Sequence, residues 1–117
     1  MYKSDCIFCK ISKGEIPSER IYENDNFFSV FDLHPKTKGH CLIISKSHYE
    51  NVLDMPQTLG VELMDAIKKT AEIVLKENKA EGFNVVGNNF PVSGQIIMHF
   101  HIHILPRKKN DGFELRV

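Results

Sequence analysis

His99-Phe100-His101-Ile102-His103-Ile104, just ahead of the chain's last proline, governs how the rest of the sequence is read. Histidine recurs at every second position with apolar residues between, the period of a β-strand and not of a helix. On a strand, His99, His101 and His103 point to one face while Phe100, Ile102 and Ile104 turn into a core. Half of the chain's six histidines stand in this row. Imidazole changes its proton and metal affinity most readily near neutral pH, so the row reads as chemistry and not as an incidental polar face. At roughly 3.3 Å per residue, His99 and His103 lie about 13 Å apart along such a strand. A zinc–nitrogen bond is only about 2 Å, so one ion cannot gather all three. Two neighbours could share one, and the row is best read as serving different partners.

Working outward, His-x-His-x-His followed by apolar residues and Pro106-Arg107 resembles the signature of the histidine triad (HIT) superfamily of nucleotide hydrolases and transferases. Cys6-Ile7-Phe8-Cys9-Lys10-Ile11 followed by Gly14-Glu15-Ile16-Pro17 is similar to the N-terminal stretch of the family's small single-domain branch. Asp32, Gly39-His40, Lys46-Ser47-His48 and Gly94-Gln95 also fall where that branch has its motifs. The likeness covers nearly the whole chain.

The resemblance implies a five-stranded antiparallel sheet with one long and one or more short helices, paired into a homodimer. It implies that His101 attacks the α-phosphorus of a purine nucleotide conjugate and is transiently nucleotidylated, water then releasing the nucleoside monophosphate. That chemistry needs an unprotonated nitrogen in line with the leaving group and donors around the other oxygens. A backbone carbonyl accepting from Nδ1 of His101 would leave Nε2 free. His103 and His40 would be phosphate-side partners, and Asn88 and Gln95 donors to the phosphate and leaving group. Asp32 would accept from ribose hydroxyls, with Phe8, Ile11 and Leu42 in an apolar base pocket. Taken singly, these are an ordinary core histidine, turn amides, a strand-end carboxylate and core residues. One departure stands out. Some eukaryotic relatives carry serine after Gly-Gln, where this chain has Ile96, so a hydroxyl contact is lost and preference for a phosphoramidate does not carry over.

Cys6 and Cys9 have a spacing that suits two thiolates on one zinc or a redox pair. The redox reading lacks its βαβ context. The resemblance adds His48 and His99 as the remaining ligands of a closed, structural zinc site, which would not activate water. Cys41, in the apolar run with Leu42-Ile43-Ile44, reads as a core residue, and a disulfide is not expected in a reducing cytosol.

The 117 residues, 42% hydrophobic and 26% charged, suit a single HIT domain over 1–117. Fifteen basic residues balance fifteen acidic ones, giving no global field for nucleic acid or anionic membrane. No apolar run reaches the roughly 20 residues of a membrane helix, and the N-terminus lacks an apolar signal segment. The expected location is cytoplasmic.

Along the chain, Ser4-Asp5 would cap a short helix reaching Ile11 and ended by Lys13-Gly14. Strands are expected at 21–23, 27–31 and 40–45, the last apolar enough to lie centrally. A helix is expected over 58–78, its stripe Leu59, Leu63, Ala66, Ile67, Ile73 and Val74, with Glu62 among the residues facing water and Gly82 as punctuation. A strand from Asn84 to Val86, a loop carrying Asn88, Asn89, Pro91 and Gly94, and the histidine strand complete an α+β pattern. His34 reads as a loop residue and Arg107-Lys108-Lys109 as a solvated terminal run. Two other functions compete with hydrolysis: a nucleotide-binding sensor or scaffold with little turnover, and a hydrolase with an open zinc on His99, His101 and another residue. The second lacks a His-Glu-x-x-His pattern.

Overall fold

The computed structural model describes residues 1–117. In chain order it contains α1 (Ile7–Ser12), β1 (Arg20–Glu23), β2 (Phe27–Phe31), β3 (Cys41–Ser45), α2 (Gly60–Asn78), β4 (Gly82–Val86) and β5 (His101–Arg107), with single 3-10 turns at Gln57–Leu59 and Pro91–Ser93. The strands form one sheet in the order β1-β2-β3-β5-β4. Every neighbouring pair is antiparallel. This is the α+β, five-stranded architecture expected. Neither helix is long and apolar enough to cross a membrane.

All five residues of β3 are buried, as an apolar run in mid-sheet requires. Period-2 alternation sorts them. Cys41 and Ile43 join Phe27, Phe100 and Ile104 beneath Ala66 and Val74 of α2. Leu42 and Ile44 join Phe28 and Val30 under Phe8 of α1. The buried positions of α2 are Ala66, Thr70, Ala71 and Val74, small enough for close approach to the sheet. Thr70 was outside the apolar stripe read from the sequence. Its hydroxyl donates to Ser29 Oγ at 2.9 Å, which satisfies two hydroxyls inside the core.

Several boundaries differ from expectation, each for a local reason. Cys6 caps α1 in place of Ser4 or Asp5, because its Sγ accepts from the Cys9 N–H. α2 starts after a 3-10 turn and ends on Lys79, held in the left-handed region at φ 52°, while Gly82 opens β4. Glu62 does not simply face water: it accepts from the Asn26 side chain, and its carbonyl accepts from Asn24. Asn24 also caps the β1–β2 turn by accepting from the N–H groups of Asn26 and Phe27. Arg107 is not part of a solvated run. Its guanidinium donates to Asp111, Asn84 and the Phe113 carbonyl, folding the C-terminal segment back along the sheet. Finally, His40 and His99 sit just outside the strands assigned to them, β3 and β5.

Candidate active site

The β3–β5 register pairs Ile44 with His101 and Leu42 with His103, which sets both histidines on the α1 side of the sheet. There they line a cavity of about 540 Å³ together with His40, Asp32, Asn88 and the apolar side chains of Phe8, Ile11 and Leu42. The Phe8 ring meets the His101 ring edge-on, centroids 5.1 Å apart. Of the residues read from the sequence as nucleotide or phosphate contacts, only Gln95 lies off this lining. Ile96 is on it, 90% exposed at the rim.

Hydrogen-bond partners assign the imidazole tautomers. His101 Nδ1 donates to the His99 carbonyl at 2.7 Å, so its Nε2 carries the lone pair. His40 Nδ1 accepts from the Lys36 N–H at 3.0 Å. His40 Nε2 therefore bears the proton and donates to His103 Nδ1 at 2.9 Å, with Asp32 Oδ2 at 3.5 Å as a second, longer partner. His103 Nδ1 is thus an acceptor, and its Nε2 is left as a donor. Two adjacent rings, centroids 5.3 Å apart, consequently hold opposite forms, one a nucleophile and the other a donor. Burial pushes all three imidazoles down, His103 to about 4, which keeps them neutral near pH 7.

Asp32 Oδ1 accepts from the His34 N–H at 2.8 Å, and His34, expected to be only a loop residue, stands in the cavity lining. Gln95, expected to be a phosphate donor, turns its side chain to backbone groups beside the cavity. The residue is 4% exposed, and both Nε2 hydrogens and one Oε1 lone pair are taken up by backbone groups of its own chain. The sequence reading also missed the Ser45 and Lys36 backbone groups, which no side-chain pattern signals. It missed Phe113 and Leu115, which the returning C-terminal segment brings to the cavity wall. Their alternation was the available clue.

Beside the cavity, Cys6, Cys9, His48 and His99 offer four ligand atoms that all lie within 4.8 Å of one another. Cys6 Sγ is 3.3 Å, and Cys9 Sγ 3.5 Å, from His99 Nδ1, while Cys9 Sγ is 3.4 Å from His48 Nδ1. The two Nδ1 atoms are 3.1 Å apart. Zinc bonds of about 2.3 Å to sulfur and 2.0–2.1 Å to nitrogen give tetrahedron edges of roughly 3.3–3.8 Å, and the distances seen come within a few tenths of an ångström of these. Tautomers agree. His99 Nε2 donates to the Ser45 carbonyl at 2.7 Å, turning its Nδ1 lone pair toward the thiols. Burial holds the Cys9 thiol up and pushes His99 down to about 4, a combination that a divalent cation relieves. Asp32, His40 and His103 also cluster, but there the His40 Nε2 proton occupies the point where an ion would sit. His99 and His101 do not converge on a common ion either, since the one faces the thiols and the other the cavity.

The HIT domain profile matches residues 13–110. The adenosine 5'-monophosphoramidase HNT1 of Candida albicans is 37% identical over 109 residues, which are 90% of this chain and 72% of that protein. Among solved structures, SMU.412c of Streptococcus mutans superposes with a TM-score of 0.92 at 41% identity, covering 98% of this chain and 73% of that one. A zinc-bound histidine triad family protein of Mycobacterium smegmatis gives 0.87 at 32% identity, covering 96% and 81%. The histidine row, the sheet that carries it and these likenesses agree, and the chain belongs to the HIT domain family.

Proposed function

We propose that this protein, acting as a single HIT domain, is a nucleotide hydrolase or transferase that cleaves at the α-phosphate of a purine nucleotide conjugate. The observation that carries the reading is the opposite tautomers of His101 and His103 at the edge of one apolar cavity. Its volume of about 540 Å³ lies within the roughly 300–1,000 Å³ usual for small-molecule sites. The base would rest among Phe8, Ile11 and Leu42, and Asp32 would accept from the ribose. His101 Nε2 attacks phosphorus as the bond to the leaving group breaks, and the Nε2 proton of His103 supports the charge on phosphate. His40 fixes that donor, and Asn88 adds an amide. Water then cleaves the N–P bond and frees the nucleoside monophosphate. Kinship with an adenosine 5'-monophosphoramidase supports the substrate class. The apolar Ile96 at the rim leaves the identity of the leaving group open to a substrate panel.

Mixing the purified protein with an adenosine phosphoramidate and quenching rapidly in acid tests this. A nucleotidyl group should be found on His101, stable to base and lost on longer acid exposure. Tight nucleotide binding with neither adduct nor turnover would favour the sensor reading instead.

Cys6, Cys9, His48 and His99 would hold one zinc ion. A closed set of four ligands supplies structural cross-linking and no water activation, tying α1 to the segment that enters β5. Two thiolate ligands suit a reducing cytoplasm. We also propose a homodimer. The apolar run around Leu42 gives no reason for pairing, because Phe8 covers it. The better support is β4, an edge strand whose Phe83 and Val85 are 42% and 46% exposed. Unpaired edges of this kind invite a second copy. Light scattering at micromolar concentration should give twice the 13.4 kDa chain mass, and a monomer would count against pairing.

A further inference from the structure

We propose that Gln95 is a positioning residue that holds a strained phosphate-side loop in its working shape, and that its side chain does not touch substrate. The inference rests on the hydrolase reading above. Its carboxamide has no free donor to offer a phosphate, since both Nε2 hydrogens are used. Nε2 donates to the carbonyls of Glu50 at 2.5 Å and Ile97 at 3.1 Å, while Oε1 accepts from the Phe90 N–H at 2.7 Å. Those partners lie on three separate segments. Glu50 is two residues beyond His48, Ile97 is two residues before His99, and Phe90 lies in the loop between Asn88 and Gly94. A single buried amide therefore joins both histidine-bearing segments of the thiol–imidazole cluster to the loop that carries Asn88.

The loop needs such a tie. Phe90 has φ 74° and ψ 151°, a conformation natural to glycine and strained for a residue with a Cβ. Its side chain is half exposed, so burial does not compensate. The restraint comes from hydrogen bonds: Gln95 holds the Phe90 N–H, and the Phe90 carbonyl accepts from the N–H groups of Ser93 and Gln95. Gly94, at φ 105°, lies beside the Asn88 amide, so relaxation of Phe90 toward extended backbone would displace both cavity-lining residues.

The experiment compares the zinc-loaded parent with Gln95→Met, Phe90→Gly and the double variant. Adenosine phosphoramidate is the kinetic probe, and hydrogen exchange is followed at the Phe90 amide. Gln95→Met should lower kcat/KM by about 10²-fold, with KM rising as well as kcat falling, and should strip the Phe90 amide of protection. Phe90→Gly alone should match the parent. In the double variant glycine removes the strain, and roughly tenfold of the lost kcat/KM should return. If Gln95→Met does not fold, Gln95→Ala takes its place with the same readouts, since it removes the Phe90 acceptor as well as both donors. A fall in kcat alone, unchanged protection of Phe90 and no recovery in the double variant would make Gln95 a direct phosphate donor and overturn the proposal. A parent without turnover would count against the hydrolase reading only, since the exchange measurement still decides the loop.

Discussion

His101→Asn should reduce turnover by roughly 10⁴–10⁶-fold, the scale on which deletion of a covalent nucleophile acts, while nucleotide affinity changes little. The residue stands at the cavity edge with Nδ1 committed to the His99 carbonyl, so Nε2 is its free ring nitrogen. Asparagine keeps a polar side chain that can still donate there, but it offers phosphorus no lone pair of comparable basicity. The supporting histidines should behave differently. His40→Ala removes the N–H that fixes His103 as a donor, freeing that ring to turn over its tautomer. The loss should be roughly 10²-fold, in line with misplaced proton chemistry. Steady-state kinetics on the three proteins, with binding of adenosine monophosphate measured in parallel, separates the roles. Near-parental turnover by His101→Asn would end the case for covalent catalysis.

Removing the thiolates should act on the fold before the chemistry. Elemental analysis of purified protein should find about one zinc per chain, the closed four-ligand stoichiometry. Cys6→Ala or His48→Ala should lower zinc content and take roughly 10–20 °C off Tm, the shift expected for a few kcal/mol of lost ligation in a chain of this size. His101 keeps its carbonyl partner in these variants, so kcat should fall less than stability does. A zinc ion held here would link Cys6 to His99, 93 residues away, and without it α1 would rest on the packing of Phe8 and Ile11 and on hydrogen bonds from Ser12 to Lys46 and from Arg20 to Ile11 and Ser12. Full zinc occupancy in a Cys6/Cys9 double variant would remove the assignment.

How far the sequence could be read follows from the range of the interactions involved. Alternation in β5 and the unbroken apolar run of β3 are local patterns, and both announced their strands. The cavity residues Phe8, Ile11, Asp32, Leu42 and Asn88 were legible because motif spacing carries them along with the histidines. What depended on distant partners was not legible. Gln95 is spelled the same whether its amide meets a phosphate or the carbonyls of Glu50 and Ile97, and only the tertiary approach of those segments decides. Thr70 looked polar until Ser29 came into reach, and Arg107 looked solvated until Asp111 folded back onto it. His99 had the period of the strand, yet it lies ahead of the ladder, with its ring between the Ser45 carbonyl and the thiols.

The pairing of Ile44 with His101 and Leu42 with His103 has an evolutionary corollary. Side chains on a strand alternate strictly, so inserting or deleting one residue inside β5, between His101 and His103, would turn every residue beyond it to the other face, setting His103 under α2 and Ile104 in the cavity. Reactivity and core integrity would vanish in the same step. This stretch can therefore drift by substitution at its apolar letters but not by change of length, and length variation among descendants should collect in the exposed turns instead.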